Sequence, residues 1–74
     1  MSKLKLISSK EFEKLLFNEG FVKTRQEGSH AFYKHPDGRY TTLSHHGNED
    51  IPRPLIRTIL REINMDIDEY NSKV

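Results

Sequence analysis

The segment from Glu27 to Arg39 restricts the fold more than any other part of this chain. It reads Glu27-Gly28-Ser29-His30-Ala31-Phe32-Tyr33-Lys34-His35-Pro36-Asp37-Gly38-Arg39. Gly28 permits the positive φ of a tight turn. Residues 29–35 then read as a strand. Pro36-Asp37-Gly38 ends it, with proline pre-setting φ and glycine accepting the left-handed position. Before the first turn, residues 21–26 carry β-branched Val22 and Thr24. After the second, residues 39–44 are rich in tyrosine and threonine. Two short turns in succession make these three strands an antiparallel meander.

The flanks read as helices. Ser8 and Glu11 have capping-box spacing, with Ser9 a competing N-cap, and Phe12, Leu15 and Leu16 recur at helical intervals. Gly20 suits the position just past a helix end, with Phe21 as the apolar contact after it. This predicts a helix over 9–19. Pro54 at a first helical position starts a second. There Leu55, Ile56, Ile59, Leu60 and Ile63 form an apolar stripe, and Arg53, Arg57 and Arg61 fall on another face. Asp66 and Glu69 repeat the capping spacing for a short third helix at the C-terminus, from which Ile67 and Tyr70 can pack back. Residues 1–7 read as a frayed lead-in. Each long helix needs a partner for its apolar face, and the meander offers one. The expected fold is a single α+β domain over 1–74, a two-layer α-β-β-β-α sandwich. Strict alternation puts Ala31 and Tyr33 on one side of the middle strand and His30, Phe32 and Lys34 on the other. Phe32 and Tyr33 compete for the core, and the sequence leaves that choice open.

With 74 residues and no cysteine, there is neither a disulfide nor a thiolate metal site. That suits a reducing cytoplasm. Apolar runs are far too short to span a membrane, and the first residues lack the apolar core of a signal peptide. The formal charge of +1 is uneven: Asp66, Asp68 and Glu69 against Lys73 make the last eleven residues net −2, leaving +3 for residues 1–63. A basic body with an acidic tail points to a polyanionic partner.

Three groups of residues carry chemistry. His30, at the mouth of the first turn, can take or give a proton near neutral pH. His35, His45 and His46 with Asp37, Glu49 and Asp50 are metal-binding types, but their spacing matches no finger and no helical pair, so no metal is assigned. Arg53, Arg57 and Arg61 form a row suited to phosphates, near the positive end of a helix dipole. Lys23, Arg25, Lys34 and Arg39 add charge from the meander, and Phe32, Tyr33 and Tyr40 offer stacking surface for an unpaired base.

These pieces resemble the HicA toxins of bacterial type II toxin–antitoxin pairs. The resemblance is carried by Asn18-Glu19-Gly20-Phe21, Arg25-Gln26-Glu27-Gly28-Ser29-His30, Tyr33-Lys34-His35-Pro36-Asp37-Gly38-Arg39, His46, and the helix from Leu55 to Arg61, in the family's order over roughly 8–65. The chain departs from the family at Ser44, where proline is usual, and at Arg53-Pro54, where Gly-Thr is frequent. The resemblance implies a double-stranded-RNA-binding-like fold and an mRNA-cleaving endoribonuclease that needs no metal or other cofactor. It places the essential histidine on His30. It also implies a HicB-like antitoxin partner that covers the active face in a toxin–antitoxin hetero-oligomer.

On that reading His30 serves as general base toward a ribose 2′-OH or as general acid toward the 5′-oxygen. Lys23, Arg25 or Lys34 would neutralise the phosphate, and His46 or His35 is the candidate second proton carrier. Ser29, His46, Arg53 and Arg57 complete the expected RNA contacts. Two other readings use the same surface, a non-catalytic RNA-binding module and a protein-interaction domain for an acidic partner. RNA cleavage separates both from the toxin.

Overall fold

Ser8 starts the first helix as its spacing predicts. Its Oγ accepts the Glu11 N–H at 3.2 Å, and the Glu11 carboxylate accepts the Ser8 N–H at 3.4 Å. The helix, α1, runs Ser9–Asn18 and buries Phe12, Leu15 and Leu16. The computed structural model describes residues 3–45 and 47–74. Strands β1 (Val22–Glu27), β2 (His30–Lys34) and β3 (Tyr40–Ser44) follow, then helices α2 (Arg53–Glu62) and α3 (Ile67–Lys73). The sheet is antiparallel in the order β1-β2-β3, an open meander.

Tyr33 wins the core. It is 1% exposed, beside Ala31 and Leu43 on the sheet face that α1 and α2 cover. The physical reason lies in its hydroxyl, which finds a carboxylate on α1, so a polar tip does not bar the ring from burial. Phe32 points the other way and stays partly exposed.

Both long helices end in the same device. At α1, Phe21 N–H reaches Leu16 O at 2.9 Å and Gly20 N–H reaches Phe17 O at 3.1 Å, with Gly20 at φ +96°. At α2, Met65 N–H reaches Leu60 O at 2.9 Å and Asn64 N–H reaches Arg61 O at 3.2 Å, with Asn64 at φ +57°. These are Schellman closures, which leave a cap carbonyl in need of a donor.

The turn between β2 and β3 supplies both donors. His35 Nε2 lies 3.1 Å from Glu19 O at the end of α1, while Nδ1 accepts the Asp37 N–H at 3.1 Å. A ring protonated on Nε2 satisfies both bonds. Arg39 donates to Ile63 O at the end of α2 and pairs with Asp37 at 2.8 Å. Its guanidinium also sits 5.2 Å from the Phe21 ring centre. Thus His35-Pro36-Asp37-Gly38-Arg39 is a clasp that ties two helix ends to the sheet. A Cβ on Gly20 would meet His35 Nε2 at 3.0 Å, so glycine there serves both φ and the clasp. His35→Ala is expected to cost about 1–3 kcal/mol, from the lost cap and the edge contact with Phe21. Urea or thermal unfolding measures it; an unchanged midpoint would show that the clasp contributes nothing.

Three sequence expectations need correction. The lead-in is fastened, not frayed. Leu4 and Ile7 are buried, Tyr70 donates to Lys5 O at 2.6 Å, and Asn71 holds Lys3 O and Lys5 N–H. The second helix begins at Arg53, with Pro52 as N-cap, because a proline fits the second helical position as well as the first. Leu55 leaves the apolar stripe and is 49% exposed, since only Ile56, Ile59 and Leu60 of this helix face the sheet. The third helix forms as expected, with Asp66 capping Glu69 N–H at 2.7 Å and Tyr70 stacked on Phe12.

Candidate active site

Sequence spacing alone decides what lies beside His30. Glu27 and His30 flank a two-residue hairpin, Gly28-Ser29, with Gly28 at φ +60°. Glycine at the first central position is the signature of a turn whose twist suits a hairpin. The turn is tied down from β3, since His45 N–H donates to Ser29 O at 2.7 Å. In such a hairpin the flanking residues are direct cross-strand partners, so Glu27 pairs with His30, and Ser44 pairs with it from the other side.

The helices cover only one face of the sheet. On the other, three rows run across the strands: Glu27-His30-Ser44, Arg25-Phe32-Thr42 and Val22-Lys34-Tyr40. His30 is exposed at the end of this face. The next row lies about 7 Å away along the strand, and Lys34 about 13 Å. Arg25 holds its guanidinium 4.5 Å over the Phe32 ring, and its Nε is 3.1 Å from Glu27 Oε2. An imidazole, a carboxylate, a guanidinium and an aromatic ring therefore share one open surface.

A bulge creates this arrangement. Lys23 pairs with Tyr33 and Arg25 with Phe32, so Thr24 is an extra residue, its hydroxyl bonded to Phe32 O at 3.2 Å. Under simple alternation Lys23 and Arg25 would share a face. The bulge sends Arg25 to the His30 side and Lys23 to the helix side, where it pairs with Glu13 at 2.9 Å. Lys23 is thus placed away from His30. Ser29 is partly buried in the turn, and Lys34 shares the open face. Arg53 and Arg57 lie on α2, on the covered side of the sheet, and line an open groove between α2 and α3 with Arg61, Asp66 and Asp68. His35 stands at the opposite end of β2 inside the clasp and does not reach His30. His46 lies outside the described residues.

A second polar group sits under α1. The Tyr33 hydroxyl donates to Glu13, His45 Nε2 lies 3.1 Å from that hydroxyl, and Lys23 closes the set. Sequence reading gave no sign of it, because Glu13 is one more polar residue on a helix until the register is known. Burial would raise Glu13, but the bonds from Tyr33 and Lys23, and the charges of Lys23 and His45, hold it below the usual carboxylate value. Burial, then the Glu13 bond and charge, push Tyr33 upward. The two shifts act at opposite ends of the pH scale. Glu13 stabilises the fold above its unfolded pKa, ~4.3, and that share is lost as pH falls toward its lower folded value. Tyr33 favours the protonated fold, so stability drops as pH rises past ~10, where the unfolded phenol ionises. Tyr70, pushed up to about 12 by burial and by the charges of Glu11 and Asp50, adds to the alkaline loss. Tyr33→Phe should cost about 1–2 kcal/mol at neutral pH and shrink the alkaline loss to the Tyr70 share. Thermal melts from pH 3 to pH 11 read both, and an alkaline limb identical to the parent's would refute the assignment.

Among the described residues no helix is long and apolar enough to cross a membrane. No curated protein matches the chain. A family model, the HicA toxin of bacterial toxin–antitoxin systems, matches residues 9–65. That span runs from the first residue of α1 through the closure of α2 and takes in the whole sheet. HicA toxins in general cleave mRNA and act in pairs with an antitoxin. With more than half of its length matched in one stretch, the chain belongs to the HicA toxin family.

Proposed function

We propose that this protein is an endoribonuclease toxin that cleaves mRNA, with His30 as the group that moves a proton. The observation that carries the reading is the setting of His30, exposed on the uncovered sheet face beside the Arg25–Phe32 pair. RNA brings its own nucleophile, the 2′-OH next to phosphorus. A protein need only orient it, move protons and stabilise the phosphate charge. Among the described residues Arg25 is the cation in the row next to His30 on this face, and it takes the phosphate; Lys34 extends the positive track toward the next nucleotide. Phe32 stacks a base. Attack of the 2′-oxygen expels the 5′-oxygen and leaves a 2′,3′-cyclic phosphate. Arg53 and Arg57 belong to a separate basic surface on α2 that holds RNA beyond the cut. A HicB-like antitoxin would silence the enzyme by covering the open face in a hetero-oligomer, in the cytoplasm.

The test is direct. Labelled mRNA is incubated with the purified protein, with and without EDTA, beside the His30→Ala form. Cleavage by the parent that survives EDTA and is lost in the variant is the expected result. Binding without cleavage by the parent would favour a plain RNA-binding module.

A further inference from the structure

We propose that Glu27 is a catalytic residue, the general base toward the 2′-OH, and that His30 is the general acid. This rests on the endoribonuclease reading above and divides its two proton transfers between two side chains. Of the two histidines expected as second carrier, His35 is held at the far end of β2 and His46 lies outside the described residues, while Lys23 is turned to the other face. Glu27 can serve as the second carrier. It is the direct cross-strand partner of His30, so their Cβ atoms stand ~4.5–5.5 Å apart on one open surface. Its side chain is 63% exposed and reachable by substrate.

Arg25 makes the carboxylate fit for the task. Its Nε contacts Glu27 Oε2 at 3.1 Å, while stacking on Phe32 fixes the guanidinium. That pairing holds the carboxylate in place on the open face. It also sets a phosphate-binding fork beside the base. The phosphate can thus lie between acid and base with its charge on Arg25 and a flanking base on Phe32. In the step, Glu27 takes the 2′-OH proton as the 2′-oxygen bonds to phosphorus. The P–O5′ bond breaks, and His30 gives its proton to the departing oxygen. The products are a 2′,3′-cyclic phosphate and a 5′-hydroxyl. Solvent then removes the proton from Glu27 and returns one to His30, with no redox change.

The experiment uses an RNA fragment spanning a cleavage site mapped with the parent protein. A second version carries sulfur in place of the bridging 5′-oxygen at that site. A thiolate leaves without protonation, so it relieves the need for an acid but not for a base. Glu27→Gln should lower kcat about 10²–10⁴-fold on both substrates, with KM little changed. His30→Ala should be slow on ordinary RNA and recover on the sulfur substrate.

Glu27→Gln cutting within threefold of the parent, while His30→Ala is inactive, overturns this inference and leaves the endoribonuclease reading standing. His30→Ala cutting as fast as the parent overturns that reading instead. Recovery of Glu27→Gln on the sulfur substrate would make it the acid and refute the assignment. Arg25→Met keeps the carboxylate and should mainly raise KM. If it reproduces the kcat loss of Glu27→Gln, then Glu27 acts only by holding Arg25, and the proposal falls.

Discussion

Replacing His30 by alanine is expected to yield a protein that folds and binds RNA like the parent but cuts it about 10²–10⁴-fold more slowly. The stability half of this expectation comes from exposure. A side chain at the open end of the sheet touches little, and surface substitutions of that kind stay within about ±0.5 kcal/mol. The binding half follows because Arg25, Lys34 and Phe32 remain, so affinity and its fall with salt should persist. The chemical half is the loss of a proton carrier at the cleaved bond. His35 serves as the contrast: His35→Ala loses the helix cap, so its melting point drops while cleavage below that point continues. Gel assays on labelled mRNA, circular-dichroism melts and a salt series on binding separate the two histidines. In cells, expression of the parent should arrest growth and His30→Ala should not. Equal cleavage by parent and His30→Ala would remove His30 from the mechanism.

Much of this fold was legible because local signals agreed with one another. The Ser8–Glu11 box, Gly20, the two hairpin turns and the Asp66 cap each depend on residues a few positions apart, and each stands where its spacing puts it. What was hidden depends on contacts distant in sequence. The choice between Phe32 and Tyr33 required knowing that Glu13 would stand over β2 to receive a hydroxyl. The lead-in looked loose because the residues that hold it, Tyr70 and Asn71, lie at the other end of the chain. The candidate site divides in the same way. His30 could be singled out because a histidine at a hairpin mouth is a local feature. Arg25 and Lys23 could not be told apart, because the Thr24 bulge that separates them leaves no mark in a single sequence. Glu27 was readable in principle, since a two-residue turn makes its neighbours face each other, yet it passes for part of the turn itself. The motif His35-Pro36-Asp37-Gly38-Arg39 looks functional in a linear reading and serves as a clasp in three dimensions.

Substituting alanine at two adjacent aromatics should give opposite outcomes. Tyr33→Ala should unfold the protein. Its ring is 1% exposed, meets Phe17 edge-on with centres 6.1 Å apart, and anchors the Glu13–His45–Lys23 group. Emptying such a site costs about 3–5 kcal/mol. A domain this small has a total stability on the order of 4–11 kcal/mol, so the loss takes most of it or all. The thermal midpoint should fall by roughly 12–40 °C. Phe32→Ala removes a partly exposed ring whose main contact is the Arg25 guanidinium, at a cost of about 1 kcal/mol. Its effect should show in RNA affinity instead. Losing one stacked base weakens binding roughly 5- to 150-fold, about 1–3 kcal/mol. Arg25, freed from the ring, would also hold the phosphate less firmly, so KM should rise more than kcat falls. The comparison is one melt and one binding titration on each variant. If Phe32→Ala melts as low as Tyr33→Ala, the open face is part of the core. RNA then has no stacking platform beside His30, and the division of the sheet into a packing side and a working side is lost.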